Sequence, residues 1–253
     1  RVGAVGVGDP SSWSDWGTEV IEATGDQLDF YVVHQYGFDE SPTADEALRR
    51  PAELWPDVLG QVNAAVGDDV PVAVTEYNLV SIEAGDTDRS MTQALNALYL
   101  ADTIGQLALS GVAVANQWNL ANGTTSSGTD YGMVDIEDGS TFPQYEAMRL
   151  WSTAGTELLG TDVGRDDVRV YATRHDDGRV TLLLVNLAEA PFDAVVEMVG
   201  DPAATTAEVS GVHAEDLTAS ELLPVPDAQL DVVDGSLTVG LPGWSIVVIE
   251  VGP

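Results

Sequence analysis

Three short stretches carry the side chains that bond-breaking chemistry needs: His34-Gln35-Tyr36, Thr75-Glu76-Tyr77-Asn78 and Gln117-Trp118-Asn119. Glu76 supplies a carboxylate, which can serve as acid, base or nucleophile. Tyr36 and His34 supply groups that can hydrogen-bond such a carboxylate, and Gln117 and Asn78 supply amides that both donate and accept. Trp118 offers a flat apolar face. Residues two apart on an ideal strand share a face. That rule groups Phe30, Val32, His34 and Tyr36, and likewise Val72, Val74, Glu76 and Asn78; Asn116 and Trp118 share one face, Gln117 and Asn119 the other. The first two faces are apolar where they begin and polar at their C-terminal ends, where parallel α/β architectures carry function. Neighbouring strand ends bearing a carboxylate, aromatic faces and amides suit a carbohydrate, whose rings stack and whose hydroxyls are read by amides. Each residue also has a bland reading: Glu76 as an ion-paired acid, Tyr36 and His34 as hydrogen-bonded core groups, Trp118 as packing. Trp13, Trp16, Trp55 and Trp151, at helices or their entrances, read as core, and Trp244 as structural.

The elements that must hold these residues alternate over about the first 150 residues. Strand-like runs at Val2–Val7, Leu28–Tyr36, Val70–Leu79 and Val112–Leu120 are interleaved with helical patterns at Trp16–Thr24, Ala52–Val66, Met91–Leu109 and Tyr145–Ala154. Strands alternating with helices indicate βαβ units and a parallel sheet. Four such units fall short of a closed (β/α)8 barrel, which takes eight units and about 200 residues at least. Beyond Thr156 the pattern becomes short β-rich runs: 168–174, 180–186, 194–199, 206–212, 230–233, 237–239 and 245–251. Turn signals such as Asp177-Gly178, Asp234-Gly235 and Pro242-Gly243 separate them. This part reads as an antiparallel β-sandwich of about seven or eight strands. The fold class is therefore α/β plus all-β.

Composition excludes several classes. The 253 residues are 44% hydrophobic, enough for a real core, and no apolar run is long enough to span a membrane. There are 42 acidic residues against 9 basic ones, all arginine, for a formal charge of −33. That charge repels phosphate backbones and anionic surfaces, so neither nucleic acid nor membrane is an expected partner. The acids are dispersed, as on a solvated surface adapted to salt. With no cysteine, and with His34, His175 and His213 far apart in sequence, no dedicated metal site is expected.

Taken in order, the three motifs resemble the sixth, seventh and eighth strands of retaining (β/α)8 glycoside hydrolases. The α-L-arabinofuranosidase type is most similar, with β-xylosidases or endoglycanases of the same superfamily next. Such enzymes carry a β-sandwich after the barrel, and 168–186 is similar to its first hairpin. The resemblance implies the C-terminal half of a TIM (β/α)8 barrel over 1–155, followed by an antiparallel β-sandwich over 156–253. It implies that Glu76 is the nucleophile, about 5–5.5 Å from an acid/base carboxyl, and that Tyr36 orients it. His34 would order the site or touch substrate, Trp118 would be the sugar platform, and Gln117 and Asn78 would contact hydroxyls. No cofactor is implied. One departure matters: these families place the acid/base in an Asn-Glu pair, and this chain contains no Asn-Glu dipeptide. The acid/base is then expected upstream of Arg1, with the N-terminal half of the same enzyme as partner. A noncatalytic carbohydrate-binding or scaffold protein is the alternative, and two copies forming one barrel a third. Polysaccharide substrates favour secretion.

Overall fold

The computed structural model describes residues 1–200 and 204–252. By contact density these fall into two compact units: residues 1–92 with 102–141, and 93–101 with 142–253.

The first unit is built on a four-stranded parallel sheet in the order β1 (Gly3–Val5), β2 (Phe30–His34), β3 (Val72–Tyr77), β4 (Val114–Gln117). Helix α1 (Ser12–Thr24) follows β1 and α2 (Ala44–Val66) follows β2. Helix α3 (Ala94–Leu109) is divided between the units after Ala101. The start of α2 is fixed by a capping box: Thr43 accepts from the Glu46 backbone N–H, and the Glu46 carboxylate accepts from the Thr43 N–H. Its buried stripe of Leu54, Trp55, Val58, Leu59 and Val62 follows helical spacing. Each such side chain contributes about 1.5–3 kcal/mol by leaving water. Trp55 meets Tyr77 of β3 edge-on, with ring centroids 6.2 Å apart. Tyr77 therefore lies on the helix side of the sheet.

Two of the tryptophans expected in the core are at the surface. Trp13 is 80% and Trp16 48% exposed, whereas Trp55 is buried. Trp13, Ser14 and Asp15 have φ of 51°, 59° and 64°, so regular helix begins only at Trp16. Trp13 consequently has no place on a helical stripe, and the Trp16 indole N–H turns back to the Val5 carbonyl at 3.1 Å.

The second unit contains α4 (Pro143–Trp151) and eight strands among the described residues: β5 (Glu157–Leu159), β6 (Val168–Arg174), β7 (Val180–Asn186), β8 (Phe192–Glu197), β9 (Thr206–His213), β10 (Leu223–Asp231), β11 (Ser236–Leu241) and β12 (Ser245–Val251). Six form an antiparallel sheet in the order β10-β9-β12-β7-β6-β5, and β11 pairs with β8. Leu182, Leu184, Val209, Val247 and Ile249 from the large sheet share one apolar cluster with Leu237, Val239 and Leu241 from the small one. The β6–β7 hairpin turns at Asp177-Gly178, where Gly178 takes φ of 91°.

Candidate active site

The parallel register sets which side chains meet. Val33 lies opposite Val74, but the next partners are His34 and Glu76, so Thr75 is an extra residue and β3 bulges there. Paired residues of a parallel sheet point the same way, which puts Val72 and Val74 on the helix side with Tyr31 and Val33. Strict alternation would have sent Glu76 to that side too, grouped with Val72 and Val74 as the sequence pattern suggested. The bulge instead turns Thr75 and Glu76 together toward His34 and returns Tyr77 to the helices. The face shared by His34 and Glu76 is thus a product of one inserted residue.

At that face the Tyr36 hydroxyl donates to Glu76 Oε2 at 3.0 Å. His34 Nδ1 sits 3.4 Å from Glu76 Oε1, and its Nε2 lies 2.9 Å from Thr75 Oγ1. Oε2 is therefore held by a hydrogen bond and Oε1 has the imidazole within ion-pair distance, while Glu76 keeps 24% of its side chain open to solvent. Burial, reinforced by the adjacent Glu76 charge and hydrogen bond, pushes the Tyr36 phenol well above its ordinary value, so the phenol stays a donor. Backbone pairing carries on past β2: Gln35 N–H donates to Glu76 C=O at 3.0 Å and Gly37 N–H to Asn78 C=O at 3.1 Å. This pairing holds Tyr36 in line with the end of β3.

The remaining sequence candidates are placed differently. Trp118, at the end of β4, is 40% exposed, and its peptide bond to Asn119 is cis. Asn78 is fully buried. Its Nδ2 donates to the Trp118 and Tyr131 carbonyls at 2.6 and 3.3 Å, and its Oδ1 accepts from the Leu79 N–H. Asn78 thus pins the end of β4 to β3 rather than facing the open side. Gln117 Nε2 donates to the Tyr131 carbonyl at 3.3 Å.

Three residues at this end of the sheet were not among the site residues expected from the sequence. Tyr131, from the loop after β4, stands edge-on to Tyr36 with centroids 6.5 Å apart and donates its hydroxyl to Ser81 C=O at 2.6 Å. Thr75 is brought in by the bulge. Asp86, fully buried, accepts from Ser41 Oγ at 3.0 Å, Ser90 N–H at 2.8 Å, Met91 N–H at 3.1 Å and the Thr129 hydroxyl. Because Ser41, Asp86 and Thr129 follow β2, β3 and β4 respectively, one carboxylate ties together three loops at the C-terminal end of the sheet.

No protein-family model matches the sequence, and no curated protein matches it. Solved structures do. A GH51 α-L-arabinofuranosidase from Thermotoga petrophila RKU-1 superposes with a TM-score of 0.79 at 19% identity, over 99% of this chain and 57% of that one. The chain has the mixed α/β fold of the C-terminal region of that enzyme. The GH51 arabinofuranosidase from Xanthomonas axonopodis pv. citri matches with a TM-score of 0.70 at 18% identity, over 98% of this chain and 57% of that one. A xyloglucanase of glycoside hydrolase family 44 from Paenibacillus polymyxa matches with a TM-score of 0.70 at 16% identity, over 100% of this chain and 57% of that one. The chain therefore spans a little over half the length of these glycosidases.

Proposed function

We propose that residues 1–155 are the C-terminal half of a (β/α)8 catalytic barrel and 156–253 its β-sandwich, in a retaining glycoside hydrolase of the α-L-arabinofuranosidase type. The observation that carries this reading is Glu76 at the end of β3, held at one oxygen by Tyr36 and approached at the other by His34. A retaining nucleophile must be ionised, oriented and open on the side of attack. The fold supports the same reading. The edge strands β1 and β4 of the parallel sheet carry Val5 and Val114, half exposed, on the face that bears Glu76. A parallel sheet ordinarily has both faces covered and its edges paired. Four further strands would do both, and would supply the acid/base carboxyl about 5–5.5 Å from Glu76.

In this mechanism Glu76 attacks the anomeric carbon as the acid/base protonates the leaving oxygen. Water, deprotonated by the same acid/base, then releases the sugar. Tyr36 and His34 hold the carboxylate during both displacements, and Trp118 provides a face for a sugar ring. The test is chemical rescue in a polypeptide carrying residues 1–253 with the remaining barrel strands. Glu76→Ala should lower turnover of an aryl α-L-arabinofuranoside by at least about a thousand-fold. Added azide should restore it with formation of an inverted glycosyl azide. A Glu76→Ala variant that retains turnover, or gives no azide product, contradicts the assignment. A noncatalytic carbohydrate-binding protein is the competing reading; the parent polypeptide would then bind sugar without hydrolysing it.

A further inference from the structure

We propose that Thr75 is a positioning residue that fixes the tautomer of His34 and so directs the imidazole proton at Glu76. The bulge in β3 presents two successive residues to one ring: Nε2 lies 2.9 Å from Thr75 Oγ1 and Nδ1 lies 3.4 Å from Glu76 Oε1. These two contacts are chemically different. An ionised carboxylate can only accept, so the ring nitrogen facing it must carry a hydrogen. In a neutral imidazole the other nitrogen is then an acceptor, and only a donor satisfies it. The Thr75 hydroxyl, which can rotate to give or to take, becomes that donor. Without it the proton is free to move to Nε2, leaving a lone pair of Nδ1 against the carboxylate.

The functional consequence rests on the reading of Glu76 as nucleophile. With Thr75 in place, the Tyr36 hydroxyl donates to Oε2, and His34 turns an N–H rather than a lone pair toward Oε1 at 3.4 Å. Loss of the Thr75 hydroxyl would leave Oε1 facing a lone pair, a repulsion that loosens the carboxylate without removing any group that touches it. Val at this position keeps the β-branched shape that suits a strand, so the hydroxyl alone is removed.

Long-range 1H–15N correlation of the intact protein labelled with 15N-histidine reads the tautomer directly, with His34 assigned by the signals lost in His34→Gln. At a pH where the spectrum shows a neutral ring, the wild-type protein should give the Nδ1–H pattern at His34. Thr75→Val should shift the ratio toward Nε2–H by about five-fold, the factor that one ordinary hydrogen bond supplies. Thr75→Ser should restore the wild-type pattern. A wild-type ring in the Nε2–H form, or a Thr75→Val ratio unchanged from wild type, overturns the proposal. Should Thr75→Val fail to fold, the wild-type spectrum still decides. The spectrum reports the ring and not turnover, so it stands or falls separately from the assignment of Glu76.

Discussion

A carboxylate becomes a nucleophile through what holds it. At Glu76 the holding groups are a phenol and an imidazole from the neighbouring strand and its extension. Removing the phenol's donor while keeping its ring isolates one of these. Tyr36→Phe deletes a hydrogen bond to a charged group, about 1.5–3 kcal/mol, so kcat should fall roughly ten- to hundred-fold in steady-state kinetics. A change under two-fold would show that Tyr36 only packs. The raised phenol also has a pH signature. Below about pH 10, the ordinary tyrosine value, folded and unfolded chains both keep this proton. As pH rises above that, the unfolded chain loses it first, so stability falls through the alkaline range. Chemical denaturation should show a shallower alkaline decline in Tyr36→Phe than in wild type. At this scale strand-end polarity marked His34, Tyr36 and Glu76 in the sequence, but alternation put Glu76 on the helix side, and only the bulge brings it to His34. For Asn78 the pattern shows a polar residue but not that its amide donates to two backbone carbonyls.

Among the elements, regular periodicity was legible and local irregularity was not. The bounds of β6, β7 and β12 are those the apolar runs indicate. Helix α2 starts at Ala44 rather than Ala52, because Pro51 sits inside it and masks the earlier turns; the Thr43-Ala44-Asp45-Glu46 capping box was the signal for the true start. Most of β10 was hidden by Pro224 and Pro226. It is an edge strand, where proline costs no ladder bond that must be kept, and its register shifts between Val225 and Ala228. The bulge at Thr75 changed the most for the least sequence: one extra residue reversed the face of Glu76. The loops depend on Asp86 in a similar way. Asp86→Asn keeps the shape but turns an amide N–H2 toward two of its four donors. Urea unfolding should show a loss of about 1–3 kcal/mol. An unchanged midpoint would mean that Asp86 is not what ties these loops together.

Over the whole molecule, charge and topology make separate demands. A formal charge of −33 with no lysine is a self-repelling surface. Salt shortens the Debye length to about 3 Å at 1 M, so the melting temperature should rise between low and molar salt; a fall would refute salt adaptation. The architecture of alternating α/β units followed by strands was legible in the sequence. Its division was less so, since residues 94–101 of α3 group with the second unit, and a helix pattern does not reveal which unit its ends join. Topology bears on function because a four-stranded parallel sheet has two open edges, β1 and β4. On the half-barrel reading, residues 1–253 alone should not persist as a monodisperse monomer. A clean monomer of this chain by light scattering would argue against a missing half.

On the proposed mechanism, Glu76 forms a covalent bond to sugar. An activated 2-fluoro glycoside, which forms the glycosyl-enzyme intermediate readily but releases it slowly, tests this in one step. Incubated with the polypeptide that carries this chain and digested, it should yield a single peptide heavier by one fluorosugar, with fragmentation placing the label on Glu76. Labelling of another carboxylate, or turnover with no trapped species, would contradict it.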